Sequence, residues 1–568
     1  MRWSVSGVFK LLPAQWIVMI ISFLNICFLQ SIVPLQWTYS KLVTIFKKGA
    51  TDQCTNYRGI AISNSFAKLL DALMNNRLKQ WYKPDPLQAG SQPGRDCAEH
   101  ILCLRLLIAY AKRKKLKLWL LFIDFRQAYD RVPRDKLLEE LRTAGCGARF
   151  LRTLKAIYGC TKFILRSAVI SATVGVKQGS PMSCLLFVFY LDQMVRLLRR
   201  HPPDGFLEHL HCLLYMDDTV LMATSRQACT EKLQSVLLFC ERYGMVINET
   251  KTKVMVINGE QEDRAPIQTD DITVEHCSTY WYLGSPITSD GSMKTALEVH
   301  VQDKIKHVLK FMTFLKYNYN MPFQLKKKVA MSCVMSALLY GCEAWLTADI
   351  RAIEQLYGKV VRALLGVKKS TPLLLCLVEA DMKPLSDLIL DQRSKFMQRK
   401  AQSPDDHPLR FALRLTRDLQ CQEMRSFRKY EGPTPADLCA AIREAAVNQS
   451  RFSTYLTLNP ALGQHQVYSC NAKDSLRISF SQLMLSSHHL RIETGRWNRP
   501  PTPPRDERVC VCRTGVQTEE HVLLHCPRTA ALRHELNVPA DTASVVRLLQ
   551  DTDPAPLLKL ICGCLASY

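Results

Sequence analysis

Apolar and polar positions recur along this chain with two different periods. From Ser63 to Tyr82 (SNSFAKLLDALMNNRLKQWY) apolar residues lie three and four apart, which predicts a helix. Leu118–Asp124 (LWLLFID) is a short apolar run ending in an acid, the pattern of a buried strand. Arg134–Ala144 reads as an amphipathic helix, and His211–Ala223 (HCLLYMDDTVLMA) as two apolar strands joined by a Met-Asp-Asp turn. Cys229–Tyr243 is helical and stops at Gly244, and Met245–Ile257 is strand-like, with Val and Ile around a polar NETKTK. A helical period returns between Leu297 and Leu365, in a region that carries Lys304, Lys306, Lys310 and Lys326–Lys328. Beyond Pro404 the periodicity weakens, and Arg499–Arg505 (RPPTPPR) predicts an extended linker. There is no internal repeat.

The N-terminal stretch admits three readings. No charged residue occurs from Leu11 to Ser40. Roughly 20 apolar residues suffice to span a bilayer, and a basic start (Arg2, Lys10) before an apolar run is also the pattern of a signal peptide. Against both, Pro13, Gln15, Asn25, Gln30, Pro34 and Gln36 interrupt the run, which leaves a packed helix as the other reading.

Composition narrows the class. At roughly 100–200 residues per domain, 568 residues exceed one domain. A hydrophobic share of 47% excludes a wholly disordered chain. The excess of 75 Lys+Arg over 51 Asp+Glu gives a net charge of +24, which favours a polyanionic partner, nucleic acid or anionic lipid. Most of the 22 cysteines sit singly in apolar runs, as Cys103, Cys184, Cys212, Cys333 and Cys439 do. That is the pattern of reduced thiols inside the cell, not of a disulfide scaffold.

Two acidic sites end or interrupt the apolar strands: Asp124, and Asp217 with Asp218. A carboxylate buried beside apolar strands needs a cation or hydrogen bonds to compensate. If the strands are neighbours in one sheet, their acids converge, and converging hard oxygens suit Mg²⁺. A pair of such ions stabilises both oxygens of an in-line phosphoryl transfer. The bland alternative for an Asp-Asp pair is an ordinary hairpin turn.

The order of these segments resembles the reverse transcriptase domain of non-LTR (LINE-type) retrotransposons. FIDFRQAYD (Phe122–Asp130) is similar to motif A, GVKQGSPMSCLLF (Gly175–Phe187) to motif B and YMDD (Tyr215–Asp218) to motif C. INETKTKVM (Ile247–Met255) is similar to motif D and YWYLGSPIT (Tyr280–Thr288) to motif E, the primer grip. Upstream, LVTIFKKG and NYRGIAI resemble the finger motifs. Met216 and the GSPMS of motif B depart from the usual Ala and GCPLS, and neither change removes a charged group.

The resemblance implies an α+β right-hand polymerase: fingers and palm over residues 25–290 with an antiparallel palm sheet, and a basic helical thumb over 291–400. A leader (1–24), a helical region with the Pro-rich linker (401–504), a zinc-knuckle-like element (505–536) and a tail (537–568) complete it. Asp124 and Asp217 would ligate two Mg²⁺ ions, with the backbone carbonyl of Phe125 as a further ligand and Asp218 secondary. Arg58 matches the arginine that holds the triphosphate, and its guanidinium suits bidentate phosphate binding; Lys47 and Lys48 either assist or form a solvated turn. Gln178 and Gly179 would lie against the incoming nucleotide. Tyr129 falls at the steric gate against a ribose 2′-OH, or is simply a core aromatic. Lys251 is a candidate general acid for pyrophosphate, or a surface lysine. The implied partners are an RNA template, a DNA primer and dNTPs; the implied location is the nucleus or cytoplasm, with a membrane as the minor alternative.

ERVCVCRTGVQTEEHVLLHCP spaces Cys510, Cys512, His521 and Cys526 as C-x-C-x8-H-x4-C, resembling the CCHC element near the C-terminus of these proteins. Three thiolates and an imidazole complete a tetrahedral Zn²⁺ site. Cys-x-Cys replaces the usual Cys-x2-Cys, His525 is a substitute ligand, and reduced thiols in a decayed motif are the alternative. The resemblance begins near Asn25, which leaves no room for the endonuclease that full-length elements carry, and no RNase H pattern is evident. The expectation is therefore an N-terminally truncated polymerase, with a catalytically inactive nucleic-acid-binding relic or a membrane-anchored protein as rivals.

Overall fold

The computed structural model describes residues 11–47, 49–347, 349–429, 437–495, 503–538 and 544–568. Lys48 and most of the Pro-rich linker, residues 499–502, lie outside the described residues. The chain mixes helix and sheet and divides into two compact units: residues 1–292 with 402–421, and residues 293–401 with 422–568.

In the first unit β1 (Tyr39–Phe46) and β2 (Tyr57–Ser63) form an antiparallel pair. The predicted helix follows as Ser65–Trp81, its N-terminus capped by Asn64, which accepts from the amide of Phe66. The buried helix Cys97–Lys114 leads into β3 (Leu118–Ile123), all six of whose residues are buried. β4 (Lys162–Leu165) and β5 (Ala168–Ser171) extend the first sheet to the order β2-β1-β4-β5. The second sheet gathers β6 (Cys212–Tyr215), β7 (Asp218–Ala223) and β8 (Lys253–Ile257) around β3 in the order β6-β7-β3-β8. Every pairing in it is antiparallel. The predicted hairpin is thus β6–β7. β9 (Ile267–Gln268) and β10 (Thr273–Val274) form a short ribbon, and β11 (Thr279–Tyr282) and β12 (Ser285–Thr288) a hairpin over the YWYLGSPIT segment.

Three stretches differ from the sequence-based expectation. Only Lys253–Ile257 of the strand-like Met245–Ile257 is strand; Asn248–Thr252 turns back on itself, the amides of Lys251 and Thr252 donating to the Asn248 carbonyl. The apolar N-terminal run forms a helix, Ala14–Gln30, but of its residues only Leu24 and Cys27 are buried. Among the described residues no helix is long and apolar enough to cross a membrane. Residues 402–421 group with the first unit because helix Pro408–Leu415 packs on Cys97–Lys114. There the Cys103 thiol lies 3.5 Å from the Pro408 carbonyl and His407 lies 3.5 Å from the buried Glu99.

The second unit is helical around its own core, which includes Trp345, Tyr357, Tyr455 and Phe480, all at most 1% exposed. The stretch expected as a tail adds Leu557, Leu558, Leu560, Ile561 and Cys564 to that core through helix Pro554–Ala566. Val522 and Leu523, from the Cys/His segment, belong to the same cluster. That segment is therefore built into the unit and is not a detached knuckle.

Candidate active site and Cys/His centre

The register of the second sheet brings the acids together. Ile123 of β3 pairs with Thr219 of β7, so Asp124, one residue on, and Asp218, one residue back, leave the sheet at the same end. Asp217 sits beside them in the β6–β7 turn, whose Tyr215 pairs with Asp218. Asp124 is held from three directions. Its Oδ2 accepts from Asn248 Nδ2 at 3.0 Å and from Lys251 Nζ at 3.1 Å, and its amide donates to Thr252 Oγ1 at 3.2 Å. The Asp124 carbonyl accepts from the Asn248 amide at 2.7 Å. The turn that replaced a predicted strand is therefore the scaffold of this carboxylate.

Electrostatics records the crowding. Partial burial raises the Asp217 carboxyl, the charge of Asp124 adds to the rise, and Arg58 and Lys47 oppose it. Asp218 is pushed up to about 6, first by desolvation and then by Asp217 and Asp124, with Lys251 opposing. Like charges at one site disfavour joint ionisation unless a cation joins them.

These groups share one cavity of about 620 Å³, lined among others by Lys47, Arg58, Phe125, Tyr129, Gln178 and Lys251. Arg58 arrives on β2, opposite Ile45 of β1, and is exposed. Tyr129 is half-buried and stacks on Phe187 at a centroid distance of 4.1 Å, so its ring is fixed from below while it still lines the cavity. Gln178 donates from Nε2 to Asp130 Oδ1 at 3.1 Å, and its carbonyl accepts from Ala61 at 2.7 Å. Gly179 is not among the lining residues. With φ +111° it presses on β2, where a Cβ would stand 2.5 Å from the Ala61 carbonyl oxygen. Sequence reading missed Asn248 and Thr252 as the partners of Asp124, although both stand inside the quoted INETKTKVM.

The four predicted zinc ligands also meet. The ligand atoms of Cys510, Cys512, His521 and Cys526 all lie within 4.8 Å of one another, with Cys510 Sγ 3.9 Å from Cys526 Sγ and Cys512 Sγ 3.2 Å from His521 Nε2. Tetrahedral Zn–S bonds of about 2.3 Å put neighbouring sulfurs roughly 3.8 Å apart, so the spacing fits. The short Cys-Val-Cys step is accommodated by Arg513, at φ +64°, whose amide donates to Cys510, and by the return bond from the Cys510 amide to Gly515. Burial acts to raise the Cys512 thiol, but hydrogen bonds from Thr514, Cys510 and His521 outweigh it and lower the thiol to about 6. That favours the thiolate, the form that binds metal. His525 is exposed and stands outside this group. The Tyr568 hydroxyl, 2.7 Å from Cys526 Sγ, is a contact the spacing did not reveal.

The family described as reverse transcriptase (RNA-dependent DNA polymerase) matches residues 45–287. A probable RNA-directed DNA polymerase from transposon BS of Drosophila melanogaster is 24% identical over 381 residues, 63% of this chain and 42% of that protein. An uncharacterized 149 kDa protein of transposon TX1 from Xenopus laevis is 24% identical over 45% of this chain and 20% of its own length. A Pol polyprotein from a type-1 R2 retrotransposable element of Nasonia vitripennis is 24% identical over 47% and 28%. The chain thus spans less than half the length of these relatives. Among solved structures, telomerase from Candida albicans with a fragment of telomeric RNA overlaps 74% of this chain and 69% of its own at 13% identity and a TM-score of 0.35, too loose to define a shared fold. The matched span holds every residue lining the acidic cavity, and over it the chain is similar to the reverse transcriptases of non-LTR retrotransposons.

Proposed function

We propose that the chain is an RNA-directed DNA polymerase that joins a dNTP to a primer 3′-hydroxyl and releases pyrophosphate. The observation that carries this reading is the meeting, in one cavity, of Asp124, Asp217 and Asp218 with Lys47, Arg58, Tyr129 and Gln178. Acids alone would describe many metal sites; acids facing phosphate-binding cations across a stacked aromatic describe a nucleotide site. In this reading the first unit supplies fingers and palm, and the lysine-bearing helices from Met293 supply the thumb.

The donor set fits Mg²⁺, since hard carboxylate oxygens raised first by burial and then by repulsion, as at Asp217 and Asp218, need a cation to ionise together. Asp124 and Asp217 would hold the two ions with the Phe125 carbonyl, and bound ions would supply neutralisation at the attacking and leaving oxygens. The chain's own groups do the rest. Arg58 and Lys47 bind the triphosphate, Tyr129 denies space to a 2′-hydroxyl, and Lys251 delivers a proton to pyrophosphate. The basic surface holds RNA template and DNA primer mainly through phosphates, so binding weakens steeply with salt. Cys510, Cys512, His521 and Cys526 would hold a structural Zn²⁺. The 22 free cysteines support a reducing compartment, the nucleus or cytoplasm.

The test is primer extension on poly(rA)/oligo(dT) by the purified full chain with Mg²⁺, alongside Asp217→Asn. Extension by the wild type and none by the variant supports the reading. Template binding without extension in both selects the inactive relic.

A further inference from the structure

Gln88 lies far from the acids in sequence and carries no charge, yet it holds the turn on which Asp217 stands. Leu87–Ala89 runs in parallel beside β6: the Leu214 amide donates to the Leu87 carbonyl at 2.9 Å, and the Ala89 amide donates to the Leu214 carbonyl at 2.8 Å. The Gln88 side chain, 0% exposed, continues this pairing where the strand ends. Its Oε1 accepts from the Met216 amide at 2.8 Å and from the Gly90 amide at 2.8 Å, and its Nε2 donates to the Met216 carbonyl at 3.2 Å. One side-chain amide thus meets both polar groups of a single residue. The orientation of that amide is fixed by its partners, two N–H donors and one carbonyl.

Met216 needs such a hold. It stands at φ +57°, a conformation L side chains rarely adopt, immediately before Asp217. The approach is close enough that a Cβ on Gly90 would lie 2.6 Å from the Met216 nitrogen, so only glycine lets the clamp reach the turn. Leaving a half-buried peptide group unpaired is costly, and a turn freed from this clamp would relax toward an ordinary backbone conformation and swing the Asp217 carboxylate.

We propose that Gln88 is a positioning residue for catalysis: by clamping the backbone of Met216 it fixes the left-handed turn that aims Asp217 at the metal-binding site beside Asp124. This rests on the polymerase reading above.

The test uses the full chain with Gln88→Met, which keeps volume and removes the polar contacts, alone and with Met216→Gly. Three quantities are read: kcat and KM on a primed template, Mn²⁺ affinity by electron paramagnetic resonance without nucleotide, and hydrogen exchange across residues 214–218. Small misplacements of a catalytic group cost up to about 10²-fold in rate. The expected result is a kcat loss of about 30–100-fold with template–primer affinity unchanged, weaker Mn²⁺ binding, and loss of exchange protection at the Met216 amide. Met216→Gly should recover part of that kcat, because glycine adopts positive φ freely. Wild-type kcat and Mn²⁺ affinity in Gln88→Met overturn the proposal, as does a loss that Met216→Gly does not relieve. If Gln88→Met does not fold, rapid exchange of the Met216 amide in the wild type overturns it instead, and slow exchange supports it. Mn²⁺ affinity and exchange are read without turnover, so an inactive wild type defeats the polymerase reading and leaves the clamp decided on its own evidence.

Discussion

Lys251 Nζ lies 3.1 Å from Oδ2 of Asp124, and both partners keep contact with solvent: 55% of the lysine side chain and 27% of the carboxylate remain exposed. Such a pair contributes at most about 1 kcal/mol to stability. It is therefore a cation held loosely beside the acids of the cavity rather than a strut. Lys251→Ala should shift the stability of the chain by less than about 1 kcal/mol and reduce kcat by roughly 10²-fold. Lys251→Arg keeps the charge but releases a proton far less readily, and should recover little of the rate. A large loss of thermal stability in Lys251→Ala, with kcat intact, would show the pair to be structural.

Asp124→Asn and Asp217→Asn each remove one ionised oxygen donor from the proposed metal site. Polymerisation should drop by at least roughly 10³-fold in either variant. Template affinity should persist, because it depends on the basic surface and not on these acids. Extension rates and filter binding on the same preparations decide the point. Substantial extension by Asp217→Asn would remove YMDD from the catalytic role.

Tyr129 owes its place to Phe187, on which it stacks. Tyr129→Ala should admit rNTPs while leaving partial dNTP use, because the ring no longer fills the space of a 2′-hydroxyl. Tyr129→Phe should keep the discrimination, since the exclusion depends on the ring and not on the hydroxyl. The measurement is the ratio of rNTP to dNTP incorporation; an unchanged ratio in Tyr129→Ala would make Tyr129 a packing residue only.

The acids were legible in the sequence because each closes an apolar run, and an acid there is hard to place without a purpose. The sheet was legible for the same reason: β3, β6 and β7 are short apolar runs bounded by polar turns. The role of Asn248 was not legible, since Val and Ile on either side of NETKTK favour a strand in a segment whose polar groups serve Asp124 instead. Gln88 was invisible: its contact with Met216 spans 128 positions and leaves no periodic trace. The same holds for residues 402–421 and for Pro554–Ala566, short helices whose placement rests on distant partners. Asp124, Asp217 and Asp218 reach their cavity through strand register, which an apolar pattern specifies; their supports come from turns and long-range contacts, which it does not.

Glu379 gives the second unit a pH dependence of its own. The carboxyl is fully buried and pushed up to about 7 by desolvation, with hydrogen bonds from Tyr455 and Tyr468 opposing. Tyr455 donates to Oε2 at 2.8 Å, and among the described residues Oε1 has no hydrogen-bond partner. A carboxyl raised on folding favours the folded state most below its ordinary value of 4.5, and that contribution is lost as pH rises through about 7. Relative to Glu379→Gln, the wild type should lose roughly 3 kcal/mol across this window, each pKa unit being worth about 1.4 kcal/mol. Denaturant unfolding of both chains at several pH values checks it; parallel stability curves would place the Glu379 carboxyl near its ordinary value.

The Cys/His centre is the remaining prediction, and its place in the core changes how it must be tested. Val522 and Leu523 pack in the same cluster as Leu557 and Ile561, so a fragment ending before the last helix would lack the wall that its apolar side rests on. The intact chain should carry about one Zn²⁺, since three thiolates and an imidazole make a closed tetrahedral site. Loading should release protons and weaken at low pH, because thiols must ionise to bind. Chelation, or Cys526→Ser, should lower the melting temperature of the chain, and added zinc should restore the chelated wild type but not the variant. Tyr568→Phe removes the hydroxyl 2.7 Å from Cys526 Sγ and should weaken zinc retention while leaving the ligands in place. Homopolymer extension by the Cys526→Ser chain should continue, because the three acids, Arg58 and Lys47 belong to the other unit. Metal analysis that finds no zinc in the intact chain, with a melting temperature indifferent to chelators, would identify the cluster as reduced thiols packed beside a histidine.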